Sequence, residues 1–109
     1  MNIENLKKEI VSRLLPIKPE KVILFGSFAW GTPGKGSDID LYVVTGDDFM
    51  PQNWTEKSRI YLAVLERLDD LQDRFPVDLI AHTKPMHKKF IEMDSVFSRK
   101  VLRDGISLL

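Results

Sequence analysis

Asp38 and Asp40 stand two apart in Ser37-Asp38-Ile39-Asp40-Leu41-Tyr42-Val43-Val44. Side chains alternate across a strand, so a strand here turns both carboxylates to one face. Acidic residues are poor strand formers, and two among Ile39, Leu41 and Val43 need a reason. Like charges this close repel, and a divalent cation removes the conflict. Mg²⁺ suits the combination of carboxylate and phosphate oxygens. Upstream lies Val22-Ile23-Leu24-Phe25, a short apolar run with the length of a buried strand, followed by Gly26-Ser27. Gly26 can take a backbone conformation closed to other residues and lets a phosphate approach the main chain. Ser27 then opens a helical turn whose free N–H groups attract anions. The plainer reading of Gly26-Ser27 is a strand-to-helix turn with a capping serine. With two aspartates downstream, phosphate donors and a metal-binding pair read together as a nucleotide site.

Two further residues of the intervening loop belong to that reading. Ser37 either contributes to the site or bonds locally within the loop. Lys35 could reach a triphosphate, against the alternative of a solvated loop lysine. Gly31 to Gly36 has the Gly-x-x-x-x-Gly spacing of a Walker A loop, but Lys35 precedes the second glycine and Ser37-Asp38 follows it. That motif needs Lys-Ser/Thr after the glycine, so an ATPase P-loop is excluded.

The surrounding pattern supplies elements to hold these groups. Ile3, Leu6, Ile10 and Leu14 recur at helical spacing, which predicts an amphipathic helix over 3–15, ended by Pro16. Strands are expected at 22–25, 38–44 and 77–81. Asn53 and Glu56 form a capping-box pattern ahead of a long helix ending near Arg74. Its stripe is Tyr61, Val64, Leu65, Leu68 and Leu71. Thr83 and Pro85 start another helix, carrying Met86, Phe90 and Ile91. A last helical segment spans about 95–103 and stops at Gly105. Ile106-Ser107-Leu108-Leu109 reads as a short apolar tail that could support a homodimer. His82 shares a strand face with Asp78 and reads as half-buried and hydrogen-bonded. His87, with Lys88 and Lys89, reads as a solvated helix face. Arg99, Lys100 and Arg103 form a basic cluster suited to an acidic partner or a phosphate. Trp54, Phe49 and Phe97 are expected mostly to pack. The class is α/β (α+β), a small mixed sheet flanked by helices.

At 109 residues, the whole span 1–109 reads as a single domain. Lys and Arg number 16 and Asp and Glu number 16, giving a formal net charge of zero. A general nucleic-acid binder usually shows a basic excess, so that class is disfavoured. With no cysteine, disulfides and thiolate metal sites are excluded. No apolar run is long enough to cross a bilayer. The polar, acidic start Met1-Asn2-Ile3-Glu4-Asn5 is unlike a signal peptide. The expected location is cytoplasmic.

Gly-Ser followed by Ser-Asp-x-Asp-Leu, with a later Val77-Asp78-Leu79, resembles the DNA polymerase β-like nucleotidyltransferase superfamily. It is most similar to the branch of minimal nucleotidyltransferases, the antitoxin-type partners of HEPN-domain proteins. The resemblance spans roughly residues 20–105. It implies a polymerase β palm-like fold and makes Asp78 the third catalytic carboxylate beside Asp38 and Asp40. All three would hold Mg²⁺, in two ions. Gly26 and Ser27 would bind the phosphates of ATP or another nucleoside triphosphate, and Asp78 would help deprotonate the attacking hydroxyl. The implied reaction is transfer of a nucleoside monophosphate to a hydroxyl of a helical HEPN-type toxin with RNase activity, with AMP to a tyrosine as the expected case. The alternatives are a non-catalytic module that neutralises its partner by contact, or an aminoglycoside-type enzyme completed by a second subunit. One departure stands out: many minimal nucleotidyltransferases carry arginines in the turn after Gly-Ser, where this chain has Phe28 and Trp30.

Overall fold

β2 (Ile39–Val44), the strand that carries Asp40, lies inside the sheet, with β1 (Lys21–Phe25) antiparallel on one side and β3 (Val77–His82) parallel on the other. The computed structural model describes residues 3–31, 34 and 36–109. β4 (Ile106–Ser107) pairs antiparallel with β1 and completes the order β3-β2-β1-β4. Every residue of β2 except Asp40 is buried, because helices cover both faces. Buried strands of this kind are near-continuously apolar, which is why 39–44 and 22–25 are recognisable as strands.

One face carries Val22, Leu24, Ile39, Leu41, Val43 and Leu79. Against it pack Leu6, Ile10 and Leu14 of α1 (Ile3–Leu14) and Val64 of α2 (Trp54–Glu66). The opposite face carries Ile23, Phe25, Tyr42 and Val44, under Phe90 of α4 (Lys84–Met93) and Val101. Removing one fully buried side chain such as Leu24 or Leu41 down to alanine costs about 2–5 kcal/mol, so both cores matter to stability.

Three expectations need correction. The long helix does not run to Arg74. α2 ends at Glu66 and a separate turn, α3 (Asp69–Gln72), follows. The Arg67 and Leu68 amides donate to the carbonyls three residues back, tightening the chain at the break. That break sends Leu68 and Leu71 into the core, while Arg67 Nε reaches the Arg13 carbonyl and Asp70 pairs with Arg13 at 2.8 Å. The segment after Ser95 is likewise divided, into α5 (Val96–Arg99) and a π-helical turn, Lys100–Asp104. The residues after Gly105 are not a loose tail. A Cβ at Gly105 would overlap the Val101 carbonyl and the Ile23 side chain, so only glycine lets 106–107 lie along β1. The Leu108 amide then donates to the Val22 carbonyl at 2.8 Å.

The remaining elements follow the pattern closely. Pro16 does end α1, by seeding a single 3₁₀ turn, Leu15–Ile17. Asn53 caps α2 through a 2.9 Å bond from the Glu56 amide.

Candidate active site

β2 and β3 start at the same end of the sheet, and their register sets Asp40 opposite Asp78. The antiparallel register sets Phe25, the last residue of β1, opposite Asp40. The chain then turns at Gly26. Two requirements meet there. Gly26 has φ +74°, a conformation that costs a residue with a side chain, and a Cβ on it would overlap the Asp40 carboxylate. The turn and the acid are therefore in contact, the arrangement that a phosphate turn beside a metal-binding acid would need. Asp38 lies exposed one residue ahead of β2, whose first residue is Ile39 rather than Asp38. The Ile39 amide bonds to the Pro76 carbonyl at 2.8 Å, which fixes the starts of β2 and β3 beside each other.

Charge shows that the acids sense one another. The Asp40 carboxyl is pushed above its ordinary range, first by burial, then by the negative charge of Asp78, then by that of Asp38. Among the described residues, Asp38, Asp40 and Asp78 included, no three His, Cys, Asp or Glu are grouped closely enough to hold a metal ion as they stand. The chemistry of the donors nonetheless suits a hard divalent cation: all are carboxylate oxygens, and the charges of Asp78 and Asp38 add to the burial that raises Asp40. Asp38, Asp40 and Asp78 are the residues that would hold it.

The candidate phosphate side is a single turn. The Ala29 and Trp30 amides both donate to the Gly26 carbonyl, at 3.0 and 3.1 Å. The amides of Ser27 and Phe28 precede the first bond of that turn, the position from which helical N–H groups meet anions. Phe28 is buried and packs edge-on to Phe75 at 6.0 Å, so it serves the core. Trp30 is 44% exposed, and its Nε1 donates to the Asp104 carbonyl at 3.2 Å. Lys100 Nζ lies 5.1 Å from the Trp30 ring centroid. Ser37 Oγ accepts a 2.7 Å bond from the Gly34 amide, so in this arrangement it closes the loop. Lys35 lies outside the described residues.

Behind the acids lies a group that sequence reading resolved only in part. Tyr42, two residues on from Asp40, is fully buried and stacks on Phe90. Its hydroxyl meets His82 Nδ1 at 2.9 Å and His87 Nδ1 at 2.7 Å. One hydroxyl proton serves one ring, so the other ring donates to the oxygen, and the two imidazoles take opposite tautomers. His82 is half-buried and bonded, as expected. His87 is not solvated: it is buried, and its partner arrives from a strand far away in sequence. Burial, then the His87 charge, lowers the His82 pKa to about 4. The His87 pKa is also lowered, by burial and then Lys21. The sequence signals for this group were His82 on the strand face of Asp78 and a tyrosine among the apolar residues of β2. Of the aromatics expected to pack, Trp54 is 79% exposed. Phe49 and Phe97 are also exposed, though Phe97 touches Phe25 and Phe90.

This architecture is shared with known proteins. A toxin-antitoxin crystal structure with AMP-PNP aligns at TM-score 0.62 and 23% identity, over 94% of this chain and 72% of that one. A double Asp-to-Glu mutant of the toxin-antitoxin MntA-HpeT aligns at 0.59 and 19% identity, over 94% and 71%. A Tyr-to-Ala mutant of the same pair aligns at 0.56 and 25% identity, over 100% and 72%. No curated protein matches. The nucleotidyltransferase domain family matches residues 3–102. That span takes in the turn, both acidic strands and every long helix, and the chain belongs to the nucleotidyltransferase domain family.

Proposed function

We propose that this nucleotidyltransferase moves a nucleoside monophosphate, AMP from ATP, onto a hydroxyl of the partner protein in a toxin-antitoxin pair. The observation that carries the reading is the contact of Gly26 with Asp40, in register with Asp78. The Ser27 and Phe28 amides would hold the β- and γ-phosphates. Asp38, Asp40 and Asp78 would hold two Mg²⁺ ions. Bound magnesium would supply positive charge at the α-phosphate and make the attacking hydroxyl a better nucleophile. Asp78, at the exposed edge of the group, would accept the proton of that hydroxyl. Attack at the α-phosphorus forms the new phosphoester, breaks the bond to the bridging oxygen and releases pyrophosphate. The chain itself supplies orientation and charge complementarity, which are the main terms in such reactions.

The acceptor reading draws on the toxin-antitoxin neighbours and on the earlier resemblance to partners of HEPN-type toxins. Met93 and Val96, three residues apart and both largely exposed, offer apolar surface for a protein partner as the second half of the reaction. The same residues favour neutralisation by contact as the second reading. Incubating the chain with a candidate helical partner of the HEPN type, Mg²⁺ and each triphosphate separates the two. Intact-mass spectrometry should show the partner gaining one nucleoside monophosphate, and Asp40→Asn should abolish the gain. An unmodified partner that is still neutralised by Asp40→Asn would establish contact alone.

A further inference from the structure

We propose that Lys100 is a substrate-binding residue of this site, holding the polyphosphate tail of the nucleoside triphosphate from a rest position on the Trp30 ring. The inference rests on the nucleotide site described above. The turn itself offers a triphosphate amide donors but no cation of its own, since Gly26, Ser27, Phe28, Ala29 and Trp30 bear no positive charge. The acids opposite are all negative. Of the described residues, Lys100 is the cation that the structure sets against this turn, 5.1 Å from the Trp30 ring centroid.

Trp30 is pinned at both ends. Its own amide closes the turn on the Gly26 carbonyl, and its indole N–H is bonded to the Asp104 carbonyl. The ring therefore bridges the phosphate turn and the π-helical segment that carries Lys100. A second contact ties the same segment to the site. Phe97, one helical turn before Lys100, packs edge-on to Phe25 at 5.9 Å, and Phe25 faces Asp40 across the sheet. Val101 is buried on the same core as Ile23 and Phe25, so the segment is anchored rather than free to swing.

The charge of Lys100 is also uncommitted. Arg99 is paired with Asp94, Arg13 with Asp70, Arg74 with Glu9 and Lys84 with Asp48. Among the described residues no carboxylate lies within ion-pair distance of Lys100. An ammonium on an exposed aromatic face is weakly held, and a charge-assisted bond to phosphate is stronger. The π-helical geometry suits this role, since such turns break regular side-chain spacing at functional sites.

Calorimetric titration with Mg²⁺ and ATP, GTP, CTP or UTP tests the proposal on native protein, Lys100→Gln, Lys100→Arg and Asp40→Asn. Lys100→Gln should weaken the triphosphate that the native protein prefers about tenfold, leave the matching monophosphate unchanged, and be rescued by Lys100→Arg. In a Trp54→Phe background, triphosphate should change Trp30 emission as the ammonium leaves the ring, and Lys100→Gln should remove that change. Native affinity in Lys100→Gln, with binding lost in Asp40→Asn, overturns the role of Lys100 and leaves the nucleotide site standing. Equal weakening of mono- and triphosphate also overturns it, as a structural effect. Absence of binding by the native protein to all four overturns the proposal together with the reading beneath it.

Discussion

Replacing Gly26 by alanine isolates the contact on which the site is built. Two costs are separable. Holding alanine at φ +74° costs about 1–2 kcal/mol. The added Cβ also overlaps the Asp40 carboxylate, and driving that side chain off its rotamer costs about 1 kcal/mol more. The expected loss is roughly 2–3 kcal/mol in urea denaturation, within reach of the linear extrapolation. In an Asp40→Ala background the carboxylate is gone. The Asp40 Cβ remains 3.3 Å from the new methyl, a contact relieved by a shift of a few tenths of an ångström. The cost of Gly26→Ala should then fall to the backbone part, about 1–2 kcal/mol. A double-mutant cycle should therefore return a coupling near 1 kcal/mol. Additivity within about 0.3 kcal/mol would refute the claim that the turn and the acid are built against each other. Unchanged triphosphate binding by Gly26→Ala would refute its bearing on the site.

Asp40→Asn should stabilise the protein at neutral pH while abolishing transfer. The raised Asp40 pKa means the folded state loses stability as pH climbs above 3.8, and the amide is free of that penalty. Millimolar Mg²⁺ should raise the native melting temperature and leave that of the variant unchanged, and a lower melting temperature for the variant would contradict the charge argument. Acid should weaken the Tyr42 cluster: with His82 ordinarily at 6.5 and held near 4, stability is full above 6.5 and drains away as pH falls towards 4. The upper limit is about 3 kcal/mol, discounted to about 1–2 because the ring is partly exposed. Urea midpoints at pH 7 and pH 4.5 should differ less in His82→Gln than in the native protein, and equal differences would remove His82 from the account. Gly105→Ala should cost about 2 kcal/mol or more by displacing β4. Hydrogen exchange at the Leu108 amide reports it, and native-like protection would show that the edge tolerates a Cβ.

The elements that carry the candidate site were legible because they are written locally. Gly26-Ser27 and Asp38-x-Asp40 sit on short runs whose period and turn residues name their own elements. The identity of α1, β1, β2 and β3 follows from the same apolar patterns, and the palm-like expectation agrees with the fold. What escaped was decided between distant residues. Helical spacing around His87 shows a polar neighbourhood and cannot show Tyr42 waiting on another element. The break before α3 reflects Arg13 reaching Asp70 and Arg67, contacts with no local trace. β4 is two residues long, too short for any alternation, and it exists because Gly105 clears Ile23. Phe28 and Trp30, an anomaly when read as turn residues, divide into a core ring and a bridge.

The bond from Trp30 to Asp104 spans 74 residues of chain. Synthesis is directional, so the turn and all three carboxylates leave the ribosome well before the segment that braces them. A nascent chain that has emerged only as far as residue 90 holds every acid of the site and neither Lys100 nor the carbonyl that steadies Trp30. Its sheet also lacks β4, so β1 is exposed along one edge. Translation thus imposes an order: the candidate site emerges first, and residues 100–108, which brace its turn and cover the edge of β1, dock afterwards.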